Sequence, residues 1–201
     1  LRAGLFDGVN FTEPSGGSLI HDRSINPAIH EHVTNDMNVR TLRVAPSTLG
    51  DGCVEAIADQ TLLQIASKQP GQSKGLIQGE AVMVDIVEAP GVQRVGRFGW
   101  KNAHASLLSF SAAAAIDELG ITSSFFPKEE TSNGRLVTAY DSVSDPEDRS
   151  VVLYSTQFIR STKAPPRDPI LTATPSARAG EVQFQQVGCG ICHTAAITTA
   201  P

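Results

Sequence analysis

The chain has 201 residues, a formal net charge of −5, and 40% hydrophobic against 18% charged residues. That is apolar enough to build a core and too acidic for a general nucleic-acid binder. Its apolar runs are broken well short of a membrane span, and three cysteines make no disulfide framework.

The chain opens on Leu1, with no basic segment leading into an apolar one, so no signal peptide is read. Residues 1–50 read as loop-rich, with a turn cluster at Pro14-Ser15-Gly16-Gly17-Ser18 and a short extended segment carrying Val39, Leu42 and Val44. Asp51 is expected to cap a helix over 52–58. Asp59 is expected to cap another over 60–68, with Leu62, Leu63, Ile65 and Ala66 as its apolar residues and Pro70-Gly71 as its stop. Residues 80–98 are β-branched and apolar around Ala89-Pro90-Gly91, which predicts a β-hairpin. Asn102 is expected to cap a long helix over 103–119. Leu107, Leu108, Ala112, Ala115, Ile116 and Leu119 keep helical spacing there, and Gly120 is the stop. Pro127 to Arg149 is polar and acidic and reads as a solvated loop. Asp145-Pro146-Glu147 predicts the start of a helix to Lys163 that buries Val151, Val152, Tyr154, Phe158 and Ile159. An extended linker over 165–175 leads to Ser176, the expected cap of a last helix ending near Val187.

Cys189-Gly190-Ile191-Cys192-His193 is a Cys-x-x-Cys-His motif. Two thiols three positions apart can each add to one vinyl group of a haem, and the next residue presents an imidazole to the iron. Two other readings use the same cysteines. A thioredoxin-like redox pair needs a strand before the motif and a helix after it, whereas here a helix is expected before it. A zinc site needs a second ligand pair, and the third cysteine, Cys53, is far upstream. The haem reading is the stronger. Because haem is attached covalently outside the bacterial cytoplasm, it carries an expectation of a periplasmic or otherwise exported protein.

Further segments resemble a known family. They are Asn38-Val39, Arg43-Val44-Ala45-Pro46, Gly50 to Gly52 and Val54-Glu55-Ala56-Ile57, then Arg97-Phe98-Gly99-Trp100-Lys101, Leu107-Leu108-Ser109-Phe110-Ser111 and Glu118-Leu119-Gly120-Ile121-Thr122. Phe158-Ile159-Arg160, Ala164-Pro165-Pro166 and Val187-Gly188-Cys189 through His193-Thr194 complete the set. Together they resemble the di-haem oxidoreductases, also labelled thiol oxidoreductases, which are similar to bacterial di-haem cytochrome c peroxidases. The resemblance covers most of 38–194 and implies at least two Cys-x-x-Cys-His sites. One is present here, so the chain reads as a fragment. Residues 1–175 are then an inter-haem region and 176–201 the start of a C-terminal cytochrome c domain. Cys53 stands where a bulky apolar residue is expected, and a buried thiol filling a core slot is read there.

By the same resemblance Trp100 assists transfer between haems, against packing as a half-buried Trp. Glu118 is a candidate acid–base group for peroxide cleavage, against an ordinary surface Glu at a helix end. His104 is weighed as a distal ligand against a capping role, and Met83 as a thioether ligand against core packing. His21, His30 and His32 cluster in a loop without the i, i+4 spacing of a helical metal site.

The fold expected is mainly α and cytochrome-c-like, with an inserted β-hairpin and long loops. The function expected is electron transfer on haem c, with Cys189 and Cys192 holding the haem and His193 ligating its iron. Peroxidase-like chemistry would use a redox partner protein or a small-molecule oxidant. The alternatives are a non-enzymatic electron carrier or accessory haem module and, more weakly, a thiol–disulfide enzyme.

Overall fold

The computed structural model describes residues 1–148 and 150–200. Arg149, the end of the expected acidic loop, and Pro201 lie outside the described residues. The chain divides into two compact units, one of residues 1–47 and 111–155, the other of residues 48–110 and 156–201.

The first unit opens with β1 (Arg2–Phe6), β2 (Phe11–Thr12) and β3 (Val39–Thr41). They form an antiparallel sheet in the order β2-β1-β3, with Leu5 opposite Thr12 and Ala3 opposite Arg40. Ala3, Ile20 and Met37 make a small core with Val33 packed against it. The extended segment read from Val39 begins as β3 but ends at Thr41, and no hydrophobic alternation announces β1 and β2, which explains why 1–50 otherwise reads as loop. Between Gly120 and Ser150 no helix or ladder strand forms among the described residues. Side-chain bonds order that stretch instead: Thr122 donates to Asp145 at 2.5 Å, and its own hydroxyl accepts from the Glu147 amide at 3.1 Å.

The second unit holds α1 (Asp51–Glu55), α2 (Asp59–Gln72) and a hairpin of β4 (Met83–Asp85) and β5 (Gln93–Val95). Met83 pairs with Val95 and Asp85 with Gln93, within the expected 80–98. Gly52 in α1 meets the chain at Arg160 so closely that a Cβ there would stand 2.4 Å from the Arg160 carbonyl oxygen. Pro70 lies inside α2, and the Gln69 carbonyl still accepts from the Ser73 amide at 3.0 Å. The expected stop at Pro70 therefore comes too early. A proline near a helix end removes only its own N–H bond, and the helix closes two residues later.

Helix α3 (Leu107–Leu119) and helix α4 (Val151–Ser161) each contribute residues to both units. Leu107, Ala112, Ala115 and Ile116 of α3 are buried as expected, but Leu119 is 68% exposed. Ser106, not Asn102, caps α3: its hydroxyl accepts from the Ser109 amide at 3.0 Å. Asn102 takes a positive φ inside a separate turn, which delays the helix. Helix α4 likewise starts after Asp148, whose carboxylate accepts from the Val151 amide at 2.5 Å, because Asp145 is already bound to Thr122. Val152 and Thr156 are its buried residues. Val151, Tyr154 and Phe158, read as core, are half or more exposed.

The chain ends with α5 (Pro169–Thr172), capped by Asp168 inside the expected linker, and α6 (Pro175–Gln186). Thr174 caps α6 by accepting from the Ala177 amide at 3.3 Å, with Pro175 in the first turn. A proline cannot use an N–H bond there, so the cap falls just before it rather than at Ser176.

The mainly-α, cytochrome-c-like reading is corrected. The described residues hold 34% helix and 11% strand, in six α-helices and two small sheets. The N-terminal sheet and the irregular 120–150 stretch account for the difference.

Candidate functional site

The Cys-x-x-Cys-His motif follows α6 directly. Gly188 at φ +87° ends the helix in the left-handed region, where a Cβ would be strained. A short 3-10 turn, Cys189–Ile191, comes next. The Cys189 carbonyl accepts from both the Cys192 amide at 3.2 Å and the His193 amide at 2.9 Å. All three candidate ligand residues are thereby wound onto one turn. Cys189 is half-buried, Cys192 and His193 are exposed, and both cysteines are free thiols. The His193 ring tilts against Phe184 of α6, with centroids 5.9 Å apart.

The surroundings are open. Helix α6 buries none of its residues, and Val182 and Val187 are 53% and 70% exposed. A groove of about 560 Å³ runs beside the turn, lined among others by Gln72, Lys74, Gln185, Gln186 and Ile191. Its floor is tied from α2, where the Gln69 carboxamide donates to the Ile191 carbonyl at 3.0 Å. The donor set suits a covalently held haem: two free thiols and an imidazole on one turn, beside uncovered apolar surface.

The rival readings fare less well. A helix rather than a strand leads into the motif, against a thioredoxin-like arrangement. Among the described residues, Glu129, Asp141 and Asp145 form the one group of three close metal-ligating side chains, and the motif forms none.

The remaining candidates are scattered. Trp100 is 51% exposed on a turn where Gly99, Lys101 and Asn102 all take positive φ. It lies in the same unit as the motif. His104 closes that turn through paired backbone bonds with Phe98 at 3.1 and 2.9 Å, and its ring stands 6.0 Å from Phe110. Glu118 is exposed near the end of α3 in the other unit, where its charge helps keep His21 protonated. Both His21 ring nitrogens lie within hydrogen-bond distance of an acceptor, Glu31 at 2.7 Å and the Asp117 carbonyl at 2.6 Å. Burial works against a charged ring there, but acceptors on both ring nitrogens favour the imidazolium and raise its pKa above the ordinary value. Met83 is 46% exposed, against the core reading, and Cys53 is exposed, against the buried-thiol reading. Met83 sits on the open side of a two-stranded ladder and Cys53 on the outer side of α1.

Sequence reasoning missed Gln69. Its signal is faint but present, since Gln69 falls on the helical stripe of Leu62, Ile65 and Ala66 as a polar residue at an apolar position.

A search of curated proteins and one of solved structures returned no match. The family described as "Di-haem oxidoreductase, putative peroxidase" matches residues 23–201, nearly the whole chain. On that match, and in keeping with the haem-type motif after α6, the chain belongs to the di-haem oxidoreductase family.

Proposed function

We infer that this chain binds haem c through Cys189 and Cys192, with His193 as an axial ligand of the iron, and takes part in electron transfer with peroxidase-like chemistry. The turn after α6 carries this reading, because it holds two free thiols and an exposed imidazole within one wind of the backbone. Cys189 and Cys192 would hold the haem by adding their S–H groups across its vinyl C=C bonds, each forming one C–S and one C–H bond with no leaving group and no oxidant. A bound haem supplies a redox centre whose potential its axial ligand and surroundings set. Cys189 and Cys192 would fix its place and His193 would supply a nitrogen ligand to its iron, with the imidazole packed against Phe184 of α6.

Electrons from a redox partner protein would reduce a small-molecule oxidant such as peroxide. Trp100, half-exposed on its rigid turn, is the proposed relay. In the intact di-haem protein, slower inter-haem transfer in Trp100→Phe with an unchanged fold supports that role, and normal transfer removes it. Glu118 is proposed as an acid–base group, a role that full peroxidase activity in Glu118→Gln would remove. With a haem attached covalently, the protein would be periplasmic or otherwise exported.

The test is acid–acetone extraction of chain produced with the haem-attachment machinery, followed by a ferric spectrum. Haem that stays with the protein supports thioether attachment, and haem that extracts contradicts it. A high-spin ferric signal marks an open iron suited to peroxide, whereas a wholly low-spin, six-coordinate signal favours an electron carrier.

A further inference from the structure

Gln69 lies far from the motif in sequence yet is tied to it. It is the buried residue of α2, at 8% exposure, on the face that carries Leu62, Ile65, Ala66 and Ser73. A carboxamide buried at an apolar position is costly unless hydrogen-bonded, and simple packing calls for Leu or Met. Its Nε2 donates to the Ile191 carbonyl at 3.0 Å, across 122 positions of sequence. Its Oε1 is buried and has no hydrogen-bond partner among the described residues. The carboxamide oxygen goes unused, so the bond to Ile191 is what the buried amide offers.

Gly79 backs onto the same group. A Cβ at residue 79 would stand 2.1 Å from Gln69 Oε1, while its next backbone neighbour, Ala66 Cα, is 3.5 Å away. Any side chain at 79 therefore displaces the carboxamide rather than the backbone.

We propose that Gln69 is a positioning residue for the Cys-x-x-Cys-His turn, holding the Ile191–Cys192 peptide so that Cys192 and His193 are presented in a fixed orientation. Ile191 stands between the two cysteines, and its carbonyl belongs to the peptide plane that leads into Cys192. The Cys189 carbonyl holds the turn from its start by accepting two amides, and Gln69 holds it from the middle. A single 3-10 turn has little intrinsic stability, so an external tether sets its geometry. Gln69 acts through the backbone and touches neither thiol nor imidazole. The tether stands on the structure alone, while its consequence for haem rests on the proposed function.

The experiment compares wild type, Gln69→Met and Gly79→Ala, full-length, with and without haem loading. In the haem-free chains, hydrogen exchange of the Cys192 and His193 amides rises about five- to tenfold in both variants, as expected for loss of one hydrogen bond. The Ser73 amide in the last turn of α2 keeps its wild-type rate. In the loaded chains, covalent haem per chain falls and the reduction potential at this site shifts. Wild-type exchange at Cys192 and His193 in both variants overturns the tether. So does an equal rise at Ser73, which makes Gln69 a general packing residue. Faster exchange with unchanged haem content and potential overturns the positioning role. A wild type that takes up no covalent haem defeats the proposed function and with it the haem consequence, and the exchange rates still decide the tether.

Discussion

Arg97 and Asp59 form an ion pair at the junction of α1, α2 and β5, with the Arg97 side chain only 3% exposed and Asp59 26%. The same guanidinium donates to the Val54 carbonyl in the last turn of α1 at 3.3 Å and to the Ile57 carbonyl just past its end at 2.6 Å. Asp59, in the first turn of α2, also accepts from the Val95 amide at 3.1 Å and from Arg94 at 3.2 Å. One pair thus locks two helices to the hairpin. Asp59→Asn leaves the guanidinium buried without its counter-charge. Urea unfolding should show a loss of about 2–3 kcal/mol, below the cost for a fully buried pair because Asp59 is partly solvated. A loss within about 0.5 kcal/mol would remove the lock from the account.

These bonds also set the acid limb of stability. Burial works against the charged forms of Asp59 and Glu55. The Val95 amide with Arg94 and Arg97 outweighs it at Asp59, and Arg160 with the Leu107 amide outweighs it at Glu55. Both carboxyls therefore sit below their ordinary values of 3.8 and 4.5. Their contribution is present above those values and is lost as pH falls through the lowered ones. Glu55→Gln should flatten the decline in the second unit's stability below about pH 4.5. An unchanged acid profile would contradict the assignment.

His21 acts in the opposite direction. Burial opposes its charge, but Glu31, the Asp117 carbonyl and the charge of Glu118 raise it above 6.5. Its contribution is complete below 6.5 and fades as pH rises through the raised value. The ring C2 proton in an NMR titration should show a midpoint above 6.5, moving down in Glu31→Gln. A midpoint at or below 6.5 in the wild type would contradict the doubly bonded imidazolium.

Ser106 heads a chain of hydroxyls. It donates to Ser109 Oγ at 2.9 Å, and Ser109 passes the chain on to Glu88 at 3.0 Å while accepting from the Val87 amide at 3.0 Å. Ser106→Ala removes the cap of α3 and one link of that chain, for an expected cost of about 1–2 kcal/mol in thermal or urea unfolding. Cys53→Ser, at an exposed thiol, should cost less than about 0.5 kcal/mol. A larger cost at Cys53 would restore the core-slot reading.

The hairpin, α1, α2 and the apolar face of α3 were legible in sequence because periodicity and turn chemistry fall on the same residues there. So was the motif, whose spacing carries its own chemical reason. The three-stranded N-terminal sheet was not, since strands of two to five residues such as Phe11–Thr12 leave no period to count. Helix α4 misled in another way. Its apolar residues predict a broad buried face, yet only Val152 and Thr156 are fully covered, and Tyr154 and Phe158 face outward. Asn102 and Asp145 look like caps by residue type. Asn102 is held at positive φ in a separate turn and Asp145 is bound to Thr122, so Ser106 and Asp148 do the capping. Gln69 shows the remaining limit, because a polar residue on an apolar stripe signals a partner without naming it.

The central claim is covalent haem at the turn after α6. The most direct test is the pyridine haemochrome spectrum of protein made with the haem-attachment machinery, wild type beside Cys189→Ala/Cys192→Ala. The account predicts a c-type spectrum in the wild type, lost from this site in the double variant. Equal haem content in both, or no pigment in either, would contradict it.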